Sequence, residues 1–139
     1  NGGTCNGGTP LNQLVAFGSF TPAQALQEIN FDEAYVSVNE DAGSITLTVE
    51  ISDVPATDAT VDVSILTAES TAIANQHYTY AGETLTFTST GSTSQTITIN
   101  IPDNTDAEPD TLLALELTNV TNAELGEDVV SVVYILDDE

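Results

Sequence analysis

From residue 97 to 117 the sequence reads Ile97-Thr-Ile-Asn-Ile101, then Pro102-Asp-Asn-Thr-Asp-Ala-Glu-Pro-Asp110, then Thr111-Leu-Leu-Ala-Leu-Glu-Leu117. Apolar residues alternate with polar ones in the first and third parts, and this period of two predicts two strands with one buried face each. The middle part carries four carboxylates in eight residues. Because carboxylates this close repel one another, the turn needs a cation to neutralise it. We predict a hairpin with an acidic, cation-binding tip.

The same alternation recurs in short segments that are separated by turn residues. Ile45 to Ile51 alternates apolar residues with threonines, and Val61 to Ile65 alternates them with Asp62 and Ser64. Shorter apolar segments lie at 35–38, 85–87 and 129–136. Seven strands of this kind predict an all-β fold, an antiparallel, immunoglobulin-like sandwich of seven strands.

The first 30 residues do not follow this pattern, and we predict that they form an N-terminal arm. Residues 1–10 are rich in glycine, Leu11 to Phe20 is mixed apolar and is a candidate for an added strand, and Thr21-Pro22 has the sequence of a helix start before a short turn over 23–28. The predicted organisation is therefore an arm at 1–30 and a sandwich at 31–139.

The composition limits what the protein can bind. It has 22 Asp and Glu, no Lys or Arg and one His, whereas an average chain of this length has about 15 basic residues. Binding to nucleic acid or to anionic lipid is excluded, because both need basic residues. No apolar run is long enough to insert in a bilayer, and no signal peptide is present. A processed secreted chain, a cytosolic protein and a fragment all fit these features, and we expect an extracellular protein.

Catalysis is not expected from this set of side chains. One His without Lys or Arg, and without a defensible Ser/His/Asp spacing, does not support nucleophilic chemistry. Paired carboxylates suit a glycosidase, but the chain has no Trp to hold a sugar. The single Cys5 cannot form an internal disulfide, which leaves a free thiol or a bond to another chain.

Six short motifs occur in an order that resembles the Calx-beta family, a module of sodium–calcium exchangers and many bacterial surface proteins. The resemblance covers about residues 31–139. The motifs are Val38-Asn-Glu40-Asp-Ala-Gly43, Thr71-Ala72 with His77-Tyr78, Gly82 to Phe87, Ile99 through Asp103 to Glu108, Leu113 to Asn119, and Ile135-Leu-Asp137-Asp-Glu139.

The resemblance implies calcium sites at one end of the sandwich. The ligands that it implies are Glu40, Asp103, Glu108, Asp137, Asp138 and Glu139. Two further acidic positions of the family are occupied by His77 and Thr111. Calcium prefers six to eight oxygen ligands, and zinc or copper fit less well because only His77 and Cys5 offer nitrogen or sulfur. The alternative interpretations are a solvated acidic loop and, for His77, a packing residue beside Tyr78.

The closing segment is apolar at seven of the eight positions from Val129 to Leu136, which is typical of a strand covered on both faces. The family pattern points Ile135 inward, so one stripe is expected to face outward. That stripe comprises Val130, Val132, Tyr134 and Leu136. Leu11 to Phe20 is the candidate to cover it, either on its own domain or on a neighbouring one.

These features support three hypotheses about function. The first is a non-catalytic, extracellular, calcium-binding module for cell-surface adhesion or assembly, with other protein domains or copies of itself as partners. The second is a structural subunit that polymerises into a filament or sheath through its N-terminal arm. The third is an accessory carbohydrate-binding module.

Overall fold

The computed structural model describes residues 26–139, which form two β-sheets packed face to face. Single turns of 3-10 helix lie between consecutive strands, at Glu40–Ala42 and at Thr67–Glu69. No helix within these residues is long and apolar enough to cross a bilayer. The strands are β1 (Glu28–Phe31), β2 (Tyr35–Asn39), β3 (Ser44–Ile51), β4 (Ala59–Ile65), β5 (Glu83–Phe87), β6 (Ser94–Asn100), β7 (Thr111–Thr121), β8 (Glu124–Leu125) and β9 (Val130–Leu136).

One sheet has the order β6-β3-β1-β8 and the other the order β2-β9-β7-β4-β5. The paired strands are antiparallel except for β1 with β8 and β2 with β9, which are parallel. Within the described residues the chain passes from the first sheet to the second four times, after β1, β3, β6 and β8. The β1–β2 and β8–β9 crossings lie side by side, because Val132 donates its N–H to the Ala34 carbonyl (2.9 Å) and Ser131 Oγ donates to the Glu33 carbonyl (2.8 Å).

The core lies between the sheets and is built by the period-two pattern. In the β3–β6 pair, Leu47 lies opposite Ile97 and Ile45 opposite Ile99, so these alternate residues face the second sheet together. The central strand of the second sheet, β7, faces them with Leu113, Leu115 and Leu117. The apolar positions of the alternating pattern are therefore the side chains that are removed from water when the chain folds. Other buried members are Ile29, Phe31, Val49, Val61, Val63, Phe87, Val133 and Ile135.

The described residues contain nine strands, so the prediction of seven antiparallel strands is wrong in number and in pairing. The additional strands are β1 and β8. They are four and two residues long, too short for alternation to be recognised. The predicted start of the sandwich at residue 31 falls inside β1, whose Ile29 is fully buried. The predicted helical turn over 23–28 lies largely outside the described residues, and Glu28 is the first residue of β1.

The predicted hairpin between Ile97 and Leu117 is also wrong. Both strands exist, but β6 belongs to the first sheet and β7 to the second, so the acidic segment 101–110 crosses from one sheet to the other. The alternation of side chains could not distinguish the two arrangements, because each strand buries one face whether the two strands pair in a hairpin or lie in different sheets. The segment nevertheless lies at one end of the sandwich, where the candidate ligands were expected.

Candidate metal centre

Three segments meet at this end of the sandwich. Glu40 follows β2, Asp103 follows β6, and Asp138 follows β9. The ends of β2 and β9 are adjacent because Asn39 pairs with Leu136. The turn after Glu40 is tied to the end of β6 by a hydrogen bond from the Ile101 N–H to the Gly43 carbonyl (2.9 Å).

Gly43 closes the 3-10 turn that carries Glu40. Its φ of 84° lies in the left-handed region, which residues with a side chain seldom adopt. Gly43, the last residue of the Val38–Gly43 motif, therefore lets the backbone reverse after the turn that carries Glu40 and enter β3.

Four of the six predicted ligands converge on one point. Glu40, Asp103, Asp138 and Glu139 each offer an oxygen, and these oxygens all lie within 4.8 Å of one another. Oxygens that share one calcium ion are at most about 5 Å apart, since each lies 2.3–2.6 Å from the ion. The four carboxylates are thus already close enough to contact a single ion.

Glu40 is the buried member of this cluster, with 3% of its surface exposed. Its Oε2 accepts a hydrogen bond from Asn104 Nδ2 (3.1 Å), but its buried Oε1 has no hydrogen-bond partner among the described residues. Burial raises the pKa of Glu40 above its ordinary value, and the charges of nearby carboxylates, Asp137 foremost, raise it further. A buried carboxylate oxygen without a partner is costly, and a cation would satisfy it.

The other three members of the cluster are exposed. The pKa of Glu139 is raised, first by partial desolvation and then by the charge of Asp138. The cluster is therefore closed on the protein side by Glu40 and open to solvent on the other, with only carboxylate ligands. That donor set fits a hard cation such as calcium.

Glu108 and Asp137 lie beside the four converging carboxylates but outside that group. The Glu108 N–H donates to Asp137 Oδ1 (3.1 Å), which joins the acidic loop to the end of β9. The Glu108 carboxylate accepts hydrogen bonds from Gln76 Nε2 (3.0 Å) and from His77 Nε2 (3.1 Å). The role of all six residues as calcium ligands stays a prediction.

His77 is buried and acts as a hydrogen-bonded packing residue. Its Nδ1 accepts a hydrogen bond from the Ile73 N–H (2.8 Å), so the ring proton is on Nε2 and is donated to Glu108. This hydrogen bond is the main cause that lowers the pKa of Glu108. Tyr78 is buried as well, and these contacts agree with the structural interpretation of His77.

Three residues make contacts in this region that were not predicted from the sequence. Asn104 orients Glu40, Gln76 donates to Glu108, and Asp110 Oδ1 accepts the Asp137 N–H (3.1 Å). Asn104 Oδ1 also accepts the Asp106 N–H (2.7 Å), a local turn that the Asp-Asn-Thr-Asp sequence does indicate. Its contact with Glu40, 64 residues earlier, leaves no local signal.

A groove of about 350 Å³ lies at the other end of the first sheet. None of its lining residues is aromatic, so it offers no ring to stack on a sugar. The carbohydrate-binding hypothesis gains no support from this groove and stays untested. The lining residues are Glu28, Asn30, Glu50, Ile51, Ser52 and Thr93.

The chain is thus a two-sheet β-sandwich with a cluster of carboxylates at the end where β2, β6 and β9 finish. The sequence profile of the Calx-beta domain matches residues 23–139. The chain belongs to the Calx-beta domain family, which confirms the resemblance seen in the sequence motifs.

Solved structures share the fold. The apo-form Calx CBD1 domain is 24% identical in sequence and superposes with a TM-score of 0.74, covering 82% of this chain and 99% of that one. A structure described as the calcium binding domain CBD12 of CALX1.1 is 24% identical with a TM-score of 0.73, covering 80% of this chain and 44% of that one. The Calx CBD2 domain is 15% identical with a TM-score of 0.68, covering 79% and 88%. Among curated protein sequences, no match to the chain was found.

Proposed function

We propose that this chain is a non-catalytic, extracellular Calx-beta module that binds calcium and serves adhesion or assembly at a cell surface. The observation that carries the proposal is Glu40, whose buried Oε1 lacks a hydrogen-bond partner and whose carboxylate lies within 4.8 Å of oxygens of three further carboxylates. The description of a structural relative as a calcium binding domain supports the same metal.

The residues that would hold the ion are Glu40, Asp103, Asp138 and Glu139. When bound, calcium would supply positive charge to a centre that has none of its own. The protein's part is to keep the carboxylates together: Asn104 fixes one oxygen of Glu40, and the Glu108 N–H fixes Asp137.

Adhesion is supported by the open side of the centre. Because Asp103, Asp138 and Glu139 are exposed, an ion held there remains accessible to an oxygen from a partner. A location outside the cell is supported by the absence of Lys and Arg, since trypsin-like proteases then find no cleavage site. Polymerisation through the N-terminal arm stays a prediction.

Thermal unfolding with calcium and with chelator at neutral pH tests the proposal. Calcium that binds only the folded state stabilises it by about 2.7 kcal/mol at 100 times its Kd. We expect a higher melting temperature with calcium in the natural protein, and no calcium-dependent change in Glu40→Gln. The amide keeps the volume of the side chain and an oxygen for Asn104, but removes the charge.

Glu50→Gln is the matched control, because Glu50 is exposed and lies at the opposite end of the molecule. It should respond to calcium as the natural protein does. Equal melting temperatures with calcium and chelator in the natural protein would refute calcium binding. Light scattering of the protein, or of beads coated with it, would test adhesion separately: calcium-dependent clustering supports it, and stabilisation without clustering limits the function to calcium binding.

A further inference from the structure

A continuous apolar surface lies on the outer side of the five-stranded sheet. We call it the outer apolar face, and it comprises Tyr35, Leu112, Val130, Val132, Tyr134 and Leu136. Tyr35 is 70% exposed and Tyr134 40%. The register makes the surface continuous, because Val132 pairs with Tyr35 across β2–β9 and Tyr134 pairs with Leu112 across β7–β9. Surfaces of this kind usually mark a contact.

The outer apolar face is uncharged although the chain carries a net charge of −22. Two rows of residues cross β2, β9 and β7 at its centre, and neither contains a carboxylate. Glu116, which pairs with Val130, marks one end of the face, and the acidic run that begins directly after Leu136 marks the other. The rows are Tyr35, Val132 and the buried Ala114, and Ser37, Tyr134 and Leu112.

A segment with matching chemistry precedes the described residues. Residues 1–27 contain no Asp, Glu, Lys, Arg or His, so all 22 carboxylates lie at or after Glu28. Within them, the segment Leu11–Phe20 carries five large apolar side chains. A neutral apolar segment can cover the face without adding to the repulsion of the molecule, which the acidic surface of another copy would do. The five are Leu11, Leu14, Val15, Phe17 and Phe20.

The same chain has the length to reach this face. The described part begins at Leu26, which is 49% exposed, and β1 leads directly into β2 at the edge of the five-stranded sheet. Leu26 precedes β1, and the other end of β1 leads into β2, so the tether must cover about 13 Å along the four residues of β1 as well as the ~10 Å between packed sheets. Residues 21–27 extend over about 23 Å at 3.3 Å each, which matches that sum. A tether this short gives an effective concentration of the order of millimolar, which favours a segment of the same chain over one from a neighbour.

We propose that the segment Leu11–Phe20 lies on the outer apolar face of its own chain and covers it. The arm and the sandwich then form one closed unit. The proposal does not depend on calcium binding.

The absence of Trp from the chain allows a direct test by fluorescence. Phe17→Trp in the full-length protein places a single Trp in the segment, and Thr9→Trp is the matched control in the glycine-rich start. Both carry Cys5→Ser to prevent cross-linking between chains. We expect Phe17→Trp to emit at shorter wavelength and to be quenched by acrylamide several-fold less than Thr9→Trp. Phe20→Trp repeats the measurement if Phe17→Trp fails to fold.

A second change identifies the surface that protects the Trp. Val132→Ser with Tyr134→Ser on the outer apolar face should restore quenching, whereas Val54→Ser, exposed elsewhere, should not. Circular dichroism establishes that each variant is folded. The proposal is overturned if Phe17→Trp and Phe20→Trp are quenched as readily as the control, or if the double substitution leaves quenching unchanged. It is also overturned if protection appears only at concentrations where the protein associates, because the segment then covers another copy.

Discussion

Glu40 links the charge of the candidate metal centre to pH. Its folded-state pKa is raised, by burial first and by neighbouring carboxylates second. Its contribution to stability is therefore fully present below the unfolded-state pKa and is lost as the pH rises through the folded-state pKa. A cation at the same carboxylate competes with the proton, so calcium binding should weaken as the pH falls through that range.

We expect acidification in chelator, from neutral pH into the range where the raised Glu40 pKa lies above its ordinary value, to favour the natural protein relative to Glu40→Gln, because only the natural protein gains from protonating residue 40. With calcium the trend should reverse. Thermal melts of the two proteins across this pH range, with and without calcium, provide the measurement. If the difference in melting temperature between the two proteins did not change with pH, the pKa of Glu40 would not be raised by burial and by the neighbouring carboxylates.

His77 and Glu108 form the other informative contact at this scale. His77→Asp replaces the donor to Glu108 by a carboxylate, which should raise the pKa of Glu108 and destabilise the metal-free protein. His77→Asn has the size of Asp without the charge. We expect the Asp variant to have a lower melting temperature than the Asn variant in chelator, and we expect calcium to reduce or reverse this difference. An equal difference in melting temperature in calcium and in chelator would mean that residue 77 does not interact with the ion. Calorimetric titration would then show no gain in calcium affinity for the Asp variant.

At the scale of the strands, the sequence identifies the core well. Alternation correctly marks the buried faces of β3, β4, β6 and β7, because burial of one sheet face is a local property with a period of two. It does not show which sheet a strand joins, so the β6–β7 link is mistaken for a hairpin. It also misses β1 and β8, whose place in the sheet depends on partners distant in sequence.

The same limit applies to the candidate metal centre. The six carboxylates could be chosen from motif order, since each follows or precedes a recognisable strand. The sequence could not show that four of them converge, or that Glu108 and Asp137 connect the acidic loop to the end of β9. Both facts depend on the direction in which each side chain points. The contacts of Asn104 and Asp110 could not be predicted because their partners, Glu40 and Asp137, lie on other segments.

The central position of β7 gives a prediction about packing. Leu115 is fully buried and has strands on both sides, so Leu115→Ala should leave a cavity that neighbouring strands cannot fill. We expect a loss of about 2–5 kcal/mol in the free energy of unfolding, measured by urea denaturation. Val54→Ala, at a position 39% exposed, should cost less than about 1 kcal/mol by the lost burial of two methyl groups. Equal costs would mean that β7 is not at the centre of the core.

For the whole molecule, repulsion among 22 carboxylates without a single Lys or Arg should depend strongly on salt. The Debye length falls from about 30 Å at 0.01 M to about 3 Å at 1 M, so added salt screens repulsion that the folded state concentrates. We expect the melting temperature in chelator to rise across this range, similarly for sodium chloride and choline chloride. A rise with sodium alone would point to specific cation binding rather than to screening, and no rise would show that the repulsion is too weak to matter.

The parallel pairing of β2 with β9 has a mechanical consequence. Tension applied to the chain at the start of β2 and at the end of β9 pulls the two strands lengthwise in opposite directions. The hydrogen bonds along the five residue pairs of β2 and β9 are then loaded in shear together and are not opened one after another. Glu40 directly follows β2, and Asp138 lies two residues beyond β9. An ion shared by these carboxylates would join the two strands at the point where their hydrogen bonds end, so that the stretched domain would unfold at a higher force with calcium than without it.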